Sequence, residues 1–141
     1  MQIIGSNLKK IQAHRTPEFK RSSINTNIEF TDVAKEKMEL IKDADIIKIS
    51  LLFSVTYNEE ENKEKLAEIL FDGDILFSAN KEEAKELTKS WKKKQIPEQL
   101  RLPLINFIIK KYSTKALALE EELNLPFHIP FPQVRKGNQQ Q

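Results

Sequence analysis

The sequence predicts an α+β fold: a four-stranded antiparallel sheet followed by two C-terminal helices and an extended proline-rich tail. Three observations carry this. Apolar residues alternate with a period of two through the first half of the chain. After Asn80 the period changes to three and four. Pro126, Pro130 and Pro132 then exclude a third helix and force extended geometry.

The first strand covers Ile3 to Arg15, with Leu8, Lys10, Gln12 and His14 opposing Lys9, Ile11 and Ala13. The second begins at Ile24, where Ile24, Thr26, Ile28 and Phe30 share a face and Asn25, Asn27 and Glu29 take the other. Residues 31–44 fit either a short helix or a continued strand. From Asp45 to Tyr57, Ile47, Ile49, Leu51, Phe53, Val55 and Tyr57 point one way, and the opposite face is only partly polar. An acidic turn from Asn58 to Lys65 follows. Ala67, Ile69, Phe71, Ile75 and Phe77 then share a parity across Asp72-Gly73-Asp74. Asp-Gly can close a hairpin, and a glycine inside a strand can mark a bulge or bend. The unbroken parity favours one long bent strand.

Asn80 with Glu83 three residues on forms a capping box, in which each side chain satisfies a free amide of the first turn. Ala84, Leu87 and Trp91 supply the apolar stripe of this first helix, and Lys92, Lys93 and Lys94 complement its negative end. Pro103 fits the first turn of a second helix of about twenty residues. Its stripe is Ile105, Ile108, Ile109, Tyr112, Ala116, Leu119 and Leu123, with Leu104, Phe107 and Leu117 off it and Asn124 at the C-cap. In the tail, Leu125, Phe127, Ile129 and Phe131 alternate with His128 and the prolines. Four large apolar residues in an extended run need a surface to lie against, either their own domain or a partner.

The 141 residues suit one domain, expected over residues 1–134, with 135–141 a polar flexible tail. With no cysteine, the chain can have no disulfide framework, thiolate zinc site or cysteine nucleophile. The leading residues lack a signal-peptide pattern, and the longest apolar runs, 49–55 and 103–109, fall short of the roughly 18–20 residues of a membrane span. A soluble, cytoplasmic chain is expected. Charged residues make up 31% of the sequence but nearly cancel to +2, a mixed surface without the basic excess of a dedicated nucleic-acid binder.

Candidate chemistry is sparse. His14 and His128 have no serine or acid at a recognisable motif spacing, and both read as surface or edge-strand histidines. The acid groups Glu59-Glu60-Glu61, Asp72 with Asp74, and Glu120-Glu121-Glu122 read as solvated faces rather than metal ligands. Three scattered glycines cannot build a phosphate-cradling loop. No cofactor is expected, and binding is expected rather than catalysis. Trp91 with Lys92, Lys93, Lys94, Lys110 and Lys111 offers an alternative role, a lysine patch beside an aromatic for nucleic acid or the ribosome.

The order of parts resembles the SecB family of export chaperones and its SecB-like relatives. The pieces carrying the resemblance are the strand ISLLFSVTYN, the glycine-containing strand AEILFDGDILF, the helix Ile105–Leu123, and the Phe131-Pro132-Gln133 triplet. The chain is also similar to a set of archaeal proteins with a tryptophan in the first helix and an ending like LPFHIPFP. The resemblance implies a non-enzymatic module that holds unfolded polypeptide, or a protein partner, in apolar grooves and assembles as a dimer or tetramer. Its implied polypeptide contacts are Trp91, Phe127, Ile129 and Phe131, with Phe53 and Tyr57 on the sheet.

Overall fold

The structure is a computed structural model that describes residues 1–36, 44–134 and 136. Four strands come first: β1 (Gln2–Arg15), β2 (Ser22–Glu36), β3 (Asp45–Glu59) and β4 (Lys65–Ala79). Helices α1 (Lys81–Trp91) and α2 (Glu98–Glu122) follow. All pairings are antiparallel in the order β1-β4-β3-β2, so residues 16–21 carry the chain from one sheet edge to the other. The stretch 31–44, open in the sequence, continues strand β2 as far as Glu36; residues 37–43, and all of the expected tail 135–141 except Lys136, lie outside the described residues.

The alternation places one face of β3 and β4 against the helices. Ile47, Ile49, Leu51, Phe53, Val55 and Tyr57 are fully or almost fully buried, as are Ala67, Ile69, Phe71, Ile75 and Phe77 opposite them. Each large side chain removed from water in this way contributes about 1.5–3 kcal/mol, which makes this layer the main source of stability. The central strands bury most of their helix-facing residues, whereas the edges do not: Ile24 on β2 is 37% exposed and Ile11 on β1 is 57% exposed.

Strand β4 runs unbroken through Gly73. The bulge lies in the neighbouring strand, where Lys9 is the additional residue between the pairs Leu8–Gly73 and Lys10–Asp72. Lys9 uses that position to reach Asp74 at 3.2 Å and Asp72 at 3.7 Å, and Asp74 also accepts from Ser50 Oγ at 2.8 Å. Gly73 is instead a seat for Tyr112 of α2. A Cβ built there would collide with the Tyr112 hydroxyl and lie 2.8 Å from the Asn7 carbonyl. The Tyr112 ring packs 5.8 Å from both Phe53 and Phe71.

Helix α1 starts as the sequence predicts, with both bonds of the capping box between Asn80 and Glu83. Helix α2 starts earlier than the sequence predicts. Pro97 is its N-cap, and Pro103 sits inside the helix, facing solvent. The ring removes the amide that would bond Gln99, whose exposed position lets water take its place. The buried side is also rotated from the predicted stripe. Leu100, Leu104, Ile108, Tyr112, Ala116 and Glu120 face the sheet at a uniform spacing of four, while Ile109 is 43% exposed. Leu104, expected off the stripe, is fully buried, and Glu120 continues its line toward the other end of the helix.

Both tyrosines of the chain are buried. Burial pushes the Tyr57 phenol up, helped by the charge of Glu120. Burial and the charges of Asp74 and Asp72 push Tyr112 up to about 12. The raised values favour the folded state below pH about 10, and that contribution is lost as pH rises toward the folded values, because the unfolded chain releases protons that the folded one keeps. Phenolate absorbance in an alkaline titration is therefore expected to stay low past pH about 10.5 and to rise for both tyrosines together as the fold opens. A phenol ionising near pH 10 in intact protein would contradict the burial.

Candidate functional site

The chain leaves α2 through a turn that fixes everything after it. Asn124 takes the left-handed conformation at φ 53°. The Leu125 amide donates to the Glu120 carbonyl at 2.8 Å, and the Asn124 amide to Glu121 at 3.2 Å. These two bonds form a Schellman motif, with the predicted Asn124 at its αL position. Arg15, at the end of edge strand β1, donates to the carbonyls of Leu123 and Asn124 at 2.8 and 3.1 Å and places a cation at the helix's negative end. Its guanidinium also stacks on Phe19, which meets Tyr57 edge-on.

Beyond the turn, the Tyr57 hydroxyl donates to the Pro126 carbonyl, and Leu125 is buried. His128 then turns inward. Its backbone amide donates to Glu120 Oε1 at 3.0 Å, its Nδ1 lies 2.7 Å from Glu120 Oε2, and its Nε2 lies 3.1 Å from Ser113 Oγ. An ionised carboxylate can only accept, so the imidazole proton belongs on Nδ1, and Nε2 accepts from the serine hydroxyl. The side chains of His128 and Glu120 are 3% and 0% exposed. Burial pushes the Glu120 carboxyl above its ordinary value, an effect that the bonds and charge of His128 only partly offset. The surface or edge-strand reading of His128 is thus corrected. His14 does lie exposed on edge strand β1, 3.9 Å from Glu68.

Ser113, His128 and Glu120 have the connectivity of a nucleophile, a base and its orienting acid. The serine is buried, at 5% exposure, and lines none of the grooves beside Trp91, helix α1 or residues 16–20. The chain of hydrogen bonds works as a clasp that pins the tail to α2. Among the described residues no group of three or more His, Cys, Asp or Glu side chains is placed to hold a metal ion.

The clasp decides which tail residues face out. Phe127, Ile129 and Phe131 are 42%, 36% and 54% exposed, and the rings of Phe127 and Phe131 lie 5.0 Å apart. Leu125 points inward, so the alternation predicted for Leu125 to Phe131 breaks where the chain bends at His128 and Ile129. The expected sheet contacts, Phe53 and Tyr57, are both 0% exposed. They are corrected to supports: Phe53 packs edge-on to the His128 ring, and Tyr57 holds Pro126.

Trp91 is half-buried and lines a different surface, a groove of about 710 Å³ shared with Ile28, Phe30, Ile96, Lys94 and Arg101. It lies near the start of α2, whereas the tail leaves the other end of that 25-residue helix, about 37 Å away at 1.5 Å per residue. The lysines of the predicted patch have separate surroundings: Lys94 lies over Trp91 at 4.9 Å and Lys111 over Phe107 at 5.7 Å.

No protein-family profile matches the sequence, and no curated protein matches it. Among solved structures the chain is similar to a SecB-like chaperone of Mycobacterium tuberculosis, solved in complex with a ChAD peptide from an antitoxin. The two are 20% identical, the TM-score is 0.52, and the match covers 95% of this chain and 91% of the other. The fold is SecB-like. At that identity the likeness carries the architecture, a four-stranded antiparallel sheet followed by two helices, and no residue roles. No described helix of this SecB-like fold is long and apolar enough to cross a membrane.

Proposed function

We propose that the chain is a chaperone-like module that holds unfolded or partner polypeptide on apolar surface. The observation carrying this reading is the outward-facing set Phe127, Ile129 and Phe131 on a rigid base. Exposed aromatics on a flexible end would collapse onto the domain or fray. Here the Schellman turn, the Pro126 carbonyl and the buried His128 hold them out instead. A peptide meeting them loses little of its binding energy to ordering the receptor. The groove at Trp91 offers a second apolar surface, and the likeness to a chaperone solved with a peptide supports the class of ligand. Leu102 and Ile109 on the outer side of α2 are 51% and 43% exposed, which favours self-association into a dimer or tetramer.

Light scattering during dilution of a chemically denatured test protein checks this. The wild-type chain is expected to suppress aggregation in proportion to its concentration. Phe127→Ser with Phe131→Ser, both at exposed positions, is expected to weaken suppression several-fold without unfolding the chain. No suppression by wild type at several-fold excess would overturn the proposal.

A further inference from the structure

Helix α1 is sorted by charge. Lys81, Lys85, Lys89 and Lys92, at spacings of four, four and three, fall within an arc of about 80° on one side. Of its three acids, Glu83 is committed to the capping box, Glu86 accepts from Gln99 at 2.9 Å, and Glu82 borders the lysine arc in the first turn. The lysine side, with Thr88, forms one wall of a groove of about 720 Å³ that Lys35 and Asp45 of the sheet close. Among the described residues, five lysines thus face one aspartate, and that aspartate already meets Lys35 at 3.5 Å. Among the described residues Lys81, Lys85, Lys89 and the C-cap Lys92 have no ion-pair partner. The chain as a whole carries only +2, so this is a local concentration of charge.

Helix stability accounts only for the C-terminal half of the stripe, where Lys89 and Lys92 complement the negative end of the dipole. Lys81 stands at the positive end of the helix dipole, where a cation is unfavourable. Lys81 with Lys85, and Lys85 with Lys89, are like-charge neighbours at i,i+4, which also destabilise a helix. Beside the groove, sharing Lys35 and Thr88 with it, lies a notch of about 240 Å³ completed by Val33, Ile47 and Trp91. Cations along a helix next to a small apolar notch complement a segment with several carboxylates and one apolar side chain.

We infer that the groove between α1 and the neighbouring ends of β2 and β3 is a docking site for an acidic polypeptide segment, separate from the apolar tail. The occupant class rests on the polypeptide-binding reading. Nucleic acid is the less favoured occupant, because among the described residues the groove has no arginine fork and no ring other than half-buried Trp91 on which a base could stack.

Fluorescence anisotropy with the full chain tests it, using a labelled peptide rich in Glu and Leu, the same peptide with Gln for Glu, and a single-stranded oligonucleotide. The acidic peptide is expected to bind at least about tenfold more tightly than its Gln analogue. Its binding should fall about tenfold with Lys85→Glu and Lys89→Glu, and also on raising ionic strength from about 0.01 M to about 0.15 M, where the screening length drops from about 30 Å to about 8 Å. Circular dichroism confirms that the exposed charge reversals leave the fold intact. Equal binding of the two peptides, or no effect of the charge reversal, would overturn the inference. So would tighter binding of the oligonucleotide, lost on the same substitutions. The Phe127→Ser, Phe131→Ser protein is expected to keep its acidic-peptide affinity, so failure of the tail reading and failure of this one are told apart.

Discussion

Gly73→Ala is expected to lower the unfolding free energy by about 3 kcal/mol in equilibrium denaturation, at or beyond the upper end of ordinary overpacking. The added methyl group meets two obstacles that cannot move together. The Asn7 carbonyl, 2.8 Å away, belongs to the backbone of β1 and is held by the ladder to β4. The Tyr112 hydroxyl is the end of a rigid ring wedged between Phe53 and Phe71. Tyr112→Phe separates the two. Its hydroxyl is buried with no hydrogen-bond partner among the described residues, so removing it is expected to be neutral or stabilising by up to about 1 kcal/mol. In the Gly73→Ala background the same change should recover only part of the loss, because the Asn7 carbonyl remains. A Gly73→Ala protein as stable as wild type would show that α2 does not seat on this glycine.

His128→Ala is expected to cost about 3 kcal/mol and to release the tail. The substitution strands the Glu120 carboxyl, which is fully buried, and breaking one partner from a buried pair is far more damaging than never having the pair. The loss is limited because the tail can lift and admit water to Glu120, so the local consequence should exceed the global one. Hydrogen exchange at the amides of Leu125 and His128 is expected to accelerate, and proteases should gain access around Phe127. Glu120→Leu combined with His128→Leu should restore part of the stability, since no charge is then stranded. Ser113→Ala removes only the outermost bond and should cost about 1 kcal/mol. Unchanged exchange in the tail of His128→Ala would mean that the clasp does not hold it.

The strands and helices were legible because local periodicity records which side chains share a face. Phe53 and Phe71 stand opposite each other, as the alternation of both strands requires, and Asn80 with Glu83 caps α1 through contacts only three residues apart. The tail was legible only as an apolar run next to prolines. That His128 would be the inward residue depended on Glu120, eight positions back across a left-handed turn, and on Ser113 two turns further down the helix. No spacing rule anticipates that geometry.

The sequence by itself determined the α+β class, the order of strands before helices, the start of α1 and the left-handed residue after α2. Each follows from contacts within a few positions along the chain or from a period repeated many times. Tertiary structure decided which side of α2 is buried, that Gly73 is a seat for a tyrosine, that Phe53 and Tyr57 are supports, and that Phe127, Ile129 and Phe131 face outward. These rest on steric fit and on the pairing of buried charge. A carboxylate such as Glu120 can occupy the core only when the folded chain delivers a histidine to meet it.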